Sequence, residues 1–130
     1  MQRLEEVEQA KLIKWSHKRQ VRELMPALRW LHHSPNGLKR SAFTGAQAKA
    51  LGVKTGFPDL VLPERSRAYV GLVIEMKYGK GKASDDQEEW LEHFANQDWR
   101  VHTCYSAEEA RAVLCEYFGV DASEAPALDA

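Results

Sequence analysis

Gly56-Phe57-Pro58-Asp59-Leu60-Val61-Leu62-Pro63, a polar turn over Glu64 to Arg67, and Ala68-Tyr69-Val70-Gly71-Leu72-Val73-Ile74-Glu75-Met76-Lys77 form the stretch whose reading decides the fold. Two short apolar runs flank a turn, the pattern of a strand pair. Side chains two apart along a strand share a face, so Leu72, Ile74 and Met76 point one way while Val73, Glu75 and Lys77 point the other. Asp59 opens the preceding strand, and pairing the two strands brings its carboxylate beside Glu75. Two carboxylates and an ammonium at the end of a buried sheet repel and desolvate one another unless something compensates. A divalent cation is the simplest compensation.

Downstream, Tyr78-Gly79-Lys80-Gly81-Lys82-Ala83 reads as a flexible basic loop whose glycines let backbone and charge approach phosphates. It lacks the spacing of a nucleotide-triphosphate loop. Ser84-Asp85-Asp86-Gln87 opens a helix as a capping box, with Trp90, Leu91 and Phe94 as its apolar stripe. Gln87 precedes those residues by three, four and seven positions and so faces the sheet, which makes a role beyond capping available to it. Trp99 to Tyr105 reads as a strand. Ser106 to Glu109 is a second capping box for a helix with Ala110, Val113, Leu114, Tyr117 and Phe118 inward and Gly119 at its end. The run from Tyr69 to Tyr105 is long enough for a parallel strand–helix–strand crossover.

Upstream, Gln2 to Leu24 predicts one helix, free of Gly and Pro and ended by Pro26. Leu4, Val7, Ala10 or Lys11, and Trp15 form its apolar face, widened by Ile13 and Val21, and Glu8 lies close to that face. Ala27 to His33 predicts a strand ending at the Ser34-Pro35-Asn36-Gly37 turn. His32 and His33 are adjacent, fall on opposite faces, and read as structural or surface residues. A short helix over 45–51 is closed by Gly52. With the residues that follow, it suggests a helix-turn-helix, but the second helix would have to run through Gly56 and Pro58.

At 130 residues and 44% hydrophobic, the chain suits one domain, with a core over 1–119 and a frayed acidic tail over 120–130. No apolar run reaches the roughly 18 residues of a membrane span and the N-terminus is polar, which leads to the expectation of an intracellular, cytoplasmic protein. Cys104 and Cys115 have no metal-site spacing and read as buried thiols. The net charge of −1 conceals an asymmetry: residues 1–84 hold 16 Lys and Arg against 7 Asp and Glu, whereas 85–130 hold 2 against 12. A basic part that also holds the carboxylate pair suits a polyanion. Lys11, Lys39, Arg40, Lys54, Lys80 and Lys82 are the candidate nucleic-acid contacts, and Lys14, Lys18, Arg19 and Arg22 add to the basic cluster around Lys11.

Gly56-x-Pro58-Asp59, 15 intervening residues, then Glu75-x-Lys77 resembles the core of the PD-(D/E)xK nuclease superfamily, and within it the VRR-NUC, or virus-type replication and repair nuclease, domain. The similarity extends over Glu8-Gln9 with Trp15, Pro35-Asn36-Gly37 with Lys39 and Arg40, Gly52-Val53-Lys54-x-Gly56, Gly71-Leu72-x-Ile74-Glu75-Met76-Lys77, and Ser84-x-x-Gln87. It implies an α/β, restriction-endonuclease-like mixed sheet flanked by helices. It also implies a Mg²⁺- or Mn²⁺-dependent nuclease in which Asp59 and Glu75 are metal ligands, the Met76 carbonyl is a third, Lys77 is the catalytic lysine, and Gln87 braces the lysine or substrate. Glu8, or alternatively Glu5 one turn earlier, is the implied acid from the first helix. Small members of the family resemble homodimeric enzymes of DNA repair or phage origin that act on branched DNA such as four-way (Holliday) junctions. A protein that binds DNA through the basic N-terminal surface without cutting it is the competing expectation.

Overall fold

A computed structural model describes residues 4–34 and 45–129 of the chain. Its centre is a four-stranded mixed sheet in the order β1-β2-β3-β4, built from β1 (His32–His33), β2 (Leu60–Leu62), β3 (Leu72–Met76) and β4 (Arg100–Cys104). β1 pairs with β2 and β2 with β3 antiparallel, and β3 pairs with β4 in parallel. The register places Leu60 opposite Ile74 and Leu62 opposite Leu72, so the charged ends of the two strands, Asp59 and Glu75, fall beside each other as the alternation predicts. Every residue of β3 is buried.

One face of the sheet, carrying Leu60, Leu62, Leu72, Ile74, Met76 and Cys104, packs with Leu12 and Trp15 of α1 (Leu4–Ser16) and Ala110 and Leu114 of α5 (Ala107–Tyr117). The helix α4 (Asp85–Asn96) joins β3 to β4 and packs against β4 through an aromatic chain. Phe57 meets Trp90 at 4.9 Å between ring centroids, and Phe94 meets Trp99 at 5.0 Å, both edge to face. A Cβ on Gly71 would enter the Trp99 ring, which explains the absence of a side chain where β3 begins. The ends of α3 (Gly45–Ala50) and α5 use one device: Val53 N–H reaches the Ala48 carbonyl and Val120 N–H the Cys115 carbonyl, with Gly52 and Gly119 at positive φ between. Residues 53–59 hold no helix, so no recognition helix follows α3.

Four expectations are corrected. The first helix breaks after Ser16 and resumes as α2 (Arg19–Leu24), although no Gly or Pro marks the break. Arg22 donates through Nε to the Ser16 carbonyl at 2.6 Å and satisfies the end that the break exposes. Its buried residues are Leu12, Trp15 and Ser16, while Leu4 is 52% exposed, so the inward face is rotated from the one that Leu4 and Val7 suggest. Most of 27–33 is not a strand: Pro26–Trp30 is a 3₁₀ helix started by proline at its first position, and only His32–His33 pair.

The fourth correction concerns the C-terminus. Residues 121–129 lie along α1 and α5 rather than fraying: Trp15 Nε1 and Arg111 Nε both donate to the Pro126 carbonyl, at 2.7 and 3.0 Å. Arg111, itself buried, also donates to the Ala122 and Ala125 carbonyls, and Asp129 pairs with Lys18 and Lys14. Apart from Asp129, the acceptors are main-chain oxygens, which a composition of Ala and Asp does not reveal. Both cysteines are buried, and burial pushes the Cys104 thiol up to about 12, so it stays protonated. Among the described residues, no helix is long and apolar enough to cross a membrane.

Candidate active site

The antiparallel register delivers Asp59 and Glu75 to the same end of β2 and β3, where backbone and side chain lock them together. Asp59 Oδ2 accepts from the Met76 N–H at 2.7 Å, and the Asp59 N–H donates to Glu75 Oε1 at 3.3 Å. Glu75 Oε2 accepts from Gln87 Nε2 at 2.5 Å and lies 3.5 Å from Lys77 Nζ. Lys77 Nζ in turn donates to Gln87 Oε1 at 2.7 Å, with its side chain only 16% exposed.

Gln87 therefore has two tasks. Its Oε1 also accepts from the Ser84 N–H at 2.8 Å, completing the capping box in which the Ser84 hydroxyl accepts from the Gln87 N–H. The oxygen that starts helix α4 is the oxygen that holds the lysine. The loop before Asp59 is clamped to the same turn. Gly56 has φ +84°, and a Cβ there would come within 2.7 Å of the Asp86 carbonyl carbon and 2.8 Å of the Gln87 nitrogen. Thr55 Oγ1 donates to Asp86 Oδ2 at 2.7 Å, and Trp90 Nε1 donates to the Thr55 carbonyl at 3.1 Å.

The electrostatics follow from this burial. Glu75 is 1% exposed, and desolvation, then the neighbouring Asp59 charge, push its carboxyl up to about 7 against the opposing effect of Lys77. Desolvation also raises the Asp59 carboxyl, opposed first by the Met76 N–H and then by the Lys77 charge. In the absence of a cation the pair thus holds a proton at mildly acidic pH. The folded Glu75 value lies above the ordinary carboxyl value of 4.5, so the unfolded chain releases that proton first. The contribution of Glu75 to stability is accordingly full below about 4.5 and declines as pH rises toward 7. In EDTA, Tm is expected to fall between pH 5 and pH 8. Added Mg²⁺ or Mn²⁺ raises it at pH 8 and has little effect at pH 5, where the ion must displace the proton. Thermal scans at the two pH values check both signs.

Two carboxylates, a nearby lysine and adjacent backbone suit a hard ion that keeps most of its waters and shares the rest of its shell with phosphate. They do not form a closed cage: among the described residues no group of three His, Cys, Asp or Glu is arranged as a metal-ligand set. Asp59, Glu75, Met76, Lys77 and Gln87 are brought together as the sequence predicts. Glu8 is not. Its Oε1 accepts from the Ala107 N–H at 2.9 Å, capping α5 from across the helix pair, and its Oε2 pairs with Lys11 at 3.0 Å. Those two partners hold its carboxyl below the usual range.

The acid of α1 whose charge reaches Asp59 is Glu5. Glu5, Gln9, Leu12 and Ser16 form one stripe at helical spacing, and its buried half was the available signal. Gln9 Nε2 lies 2.6 Å from His33 Nδ1, which brings a histidine read as structural to the edge of the site. Of the candidate nucleic-acid contacts, Lys54, Lys80 and Lys82 are exposed and Lys11 is paired with Glu8, while Lys39 and Arg40, with the Pro35-Asn36-Gly37 turn, lie outside the described residues.

A hairpin that presents an Asp and a Glu-x-Lys at one sheet end, braced by a helix glutamine, defines a nuclease-type centre of the PD-(D/E)xK class. The VRR-NUC domain model matches residues 3–108. A solved structure described as a VRR_NUC domain protein is similar at 30% sequence identity, with a TM-score of 0.74, over 92% of this chain and 92% of that one. The chain belongs to the VRR-NUC domain family. No curated protein matches it.

Proposed function

We propose that the protein is a divalent-metal-dependent DNA endonuclease, acting as a homodimer on branched DNA such as four-way junctions. The observation that carries this reading is the Asp59–Glu75–Lys77–Gln87 network, in which a buried Glu75 and a half-buried Asp59 stand beside an ammonium held in a fixed direction. Asp59 and Glu75, with the Met76 carbonyl, would hold Mg²⁺ or Mn²⁺. When bound, such an ion supplies Lewis-acid chemistry, neutralising charge on the phosphate and making nearby water more acidic.

The chain's own groups do the rest. Lys77 orients the attacking water and stabilises charge that develops on the phosphorus-bound oxygens. Gln87 fixes Lys77, so the ammonium needs no rearrangement as charge appears. The surplus of basic residues in 1–84 attracts the polyanion. Lys54, Lys80 and Lys82 supply exposed charge for the backbone, and Lys11, Lys39 and Arg40 are the further basic candidates of the sequence.

Glu5 is the acid of α1 assigned to the centre, and Glu8 the cap of α5. Glu5→Ala is therefore expected to lower the cleavage rate at least about tenfold. Glu8→Ala is expected to lower stability by about 1 kcal/mol, the usual effect of losing a helix cap, with the cleavage rate retained. Measuring both parameters for both variants tests the assignment, and the reverse pattern would return Glu8 to the site.

The direct test of function compares an end-labelled four-way junction, a matched duplex and a single strand, each with Mg²⁺ or Mn²⁺, alongside the mass of the protein in solution. Paired symmetric nicks in the junction by a dimer are expected. Nibbling from ends would replace the endonuclease with an exonuclease, and tight salt-dependent binding without cleavage in any metal would favour a binding protein.

A further inference from the structure

We propose that His33 is a substrate-binding residue of this centre: held by Gln9 with its proton on Nε2, it donates that N–H to a phosphate oxygen of the nucleic acid beside Asp59. The inference rests on the nuclease reading and adds a residue to it. β1 is an edge strand of two residues, and His33 pairs with Leu60 while the next residue, Ser34, donates its N–H to the Asp59 carbonyl at 2.8 Å. The imidazole is therefore carried by the strand segment hydrogen-bonded to the start of the catalytic hairpin. It is half-buried.

Gln9 determines what the ring can offer. Its amide nitrogen meets Nδ1 at 2.6 Å, so Nδ1 accepts and the proton of the neutral ring sits on Nε2. Nδ1 is thereby occupied, and Nε2 is the nitrogen left for a ligand. Such a donor meets a need of the site. Lys77, held by Gln87 and Glu75, serves the phosphate from the β3 side, and a donor on β1 holds it from the other. A neutral N–H meets it without placing another cation against the metal ligands. Gln9 is then a positioning residue acting through His33, one helical turn beyond Glu5.

The test measures binding of a fluorescent four-way junction with Ca²⁺ in place of Mg²⁺, steady-state cleavage in Mg²⁺, and the imidazole ¹⁵N resonances of the unsubstituted protein. His33→Ala is expected to raise Kd and KM about tenfold, the effect of one hydrogen bond to a charged oxygen, with kcat and Tm nearly unchanged. His33→Gln, which keeps an N–H donor at similar reach, recovers most of the loss, and Gln9→Ala gives a smaller rise in KM. The resonances show the Nε2–H tautomer, and Nε2 shifts when the junction is added. Unchanged binding in His33→Ala, a His33→Gln variant as defective as the alanine, or an Nε2 resonance indifferent to DNA would overturn the assignment. The resonance measurement decides the matter even where His33→Ala fails to fold. A wild type that binds DNA yet never cuts sinks the nuclease reading instead, and the binding arm still decides the role of His33.

Discussion

Lys77→Ala is expected to lower the single-turnover cleavage rate by roughly 10²–10⁴-fold, the range for losing a positioned proton-transfer or charge-stabilising group. The side chain is almost enclosed, and its ammonium is fixed by Gln87 Oε1 at 2.7 Å and by Glu75 Oε2 at 3.5 Å. Little of its value therefore lies in attracting DNA from solution, which exposed lysines such as Lys54, Lys80 and Lys82 do better. Junction affinity in Ca²⁺ should stay within about threefold of wild type, because one phosphate contact among several is a small part of the electrostatic attraction. Removing the ammonium also leaves Glu75 beside Asp59 without its nearest cation, so the Glu75 carboxyl should rise further. A Lys77→Ala variant that cuts at the wild-type rate would place the chemistry elsewhere. One that loses binding and cleavage in equal measure would make Lys77 a docking residue.

Gly56→Ala should destabilise the protein by about 2–4 kcal/mol, combining a left-handed backbone that L-residues resist with overpacking against main chain. The added Cβ would lie 2.7 Å from the Asp86 carbonyl carbon and 2.8 Å from the Gln87 nitrogen, atoms of the first turn of α4 that have no rotamer to change. Relief comes only by separating the Asp59 loop from that turn. That movement displaces Gln87, and with it Lys77, so cleavage should fall more steeply than stability implies. Urea denaturation and the cleavage rate of the still-folded fraction measure the two effects separately. A stability within about 0.5 kcal/mol of wild type would mean that the loop and helix are not clamped as described.

Local rules made the centre legible. Strand alternation placed Glu75 and Lys77 together, and the β2–β3 register extended that to Asp59. The capping box fixed where α4 begins and hence which face Gln87 presents. What escaped the sequence depends on contacts across the chain. Glu8 was attractive because it lies seven residues before Trp15, yet the same helix face meets two partners. Glu8 lies on the shoulder that reaches Ala107, and Glu5 and Gln9 on the one that reaches the sheet edge.

Adjacent on a strand, His32 and His33 fall on opposite faces and so read as structural or surface residues. Opposite faces exclude only a shared ligand, and the bond to Gln9 spans 24 residues of sequence. The break between α1 and α2 has no breaker residue and is satisfied from Arg22, while the tail is held by donors from Trp15 and Arg111 to its carbonyls. Neither leaves a mark in composition.

Cleavage of a labelled four-way junction in Mn²⁺ by the wild type and by Asp59→Asn, side by side with an EDTA control, tests the metal-dependent centre most directly. Asp59→Asn preserves size and the acceptor for the Met76 N–H while removing one of the two charges that call for a cation. Cleavage by the wild type in Mn²⁺, abolished by EDTA and by Asp59→Asn, is the predicted result. Cleavage that persists in EDTA or in Asp59→Asn, or a wild type inactive on every DNA and metal tried, would contradict it.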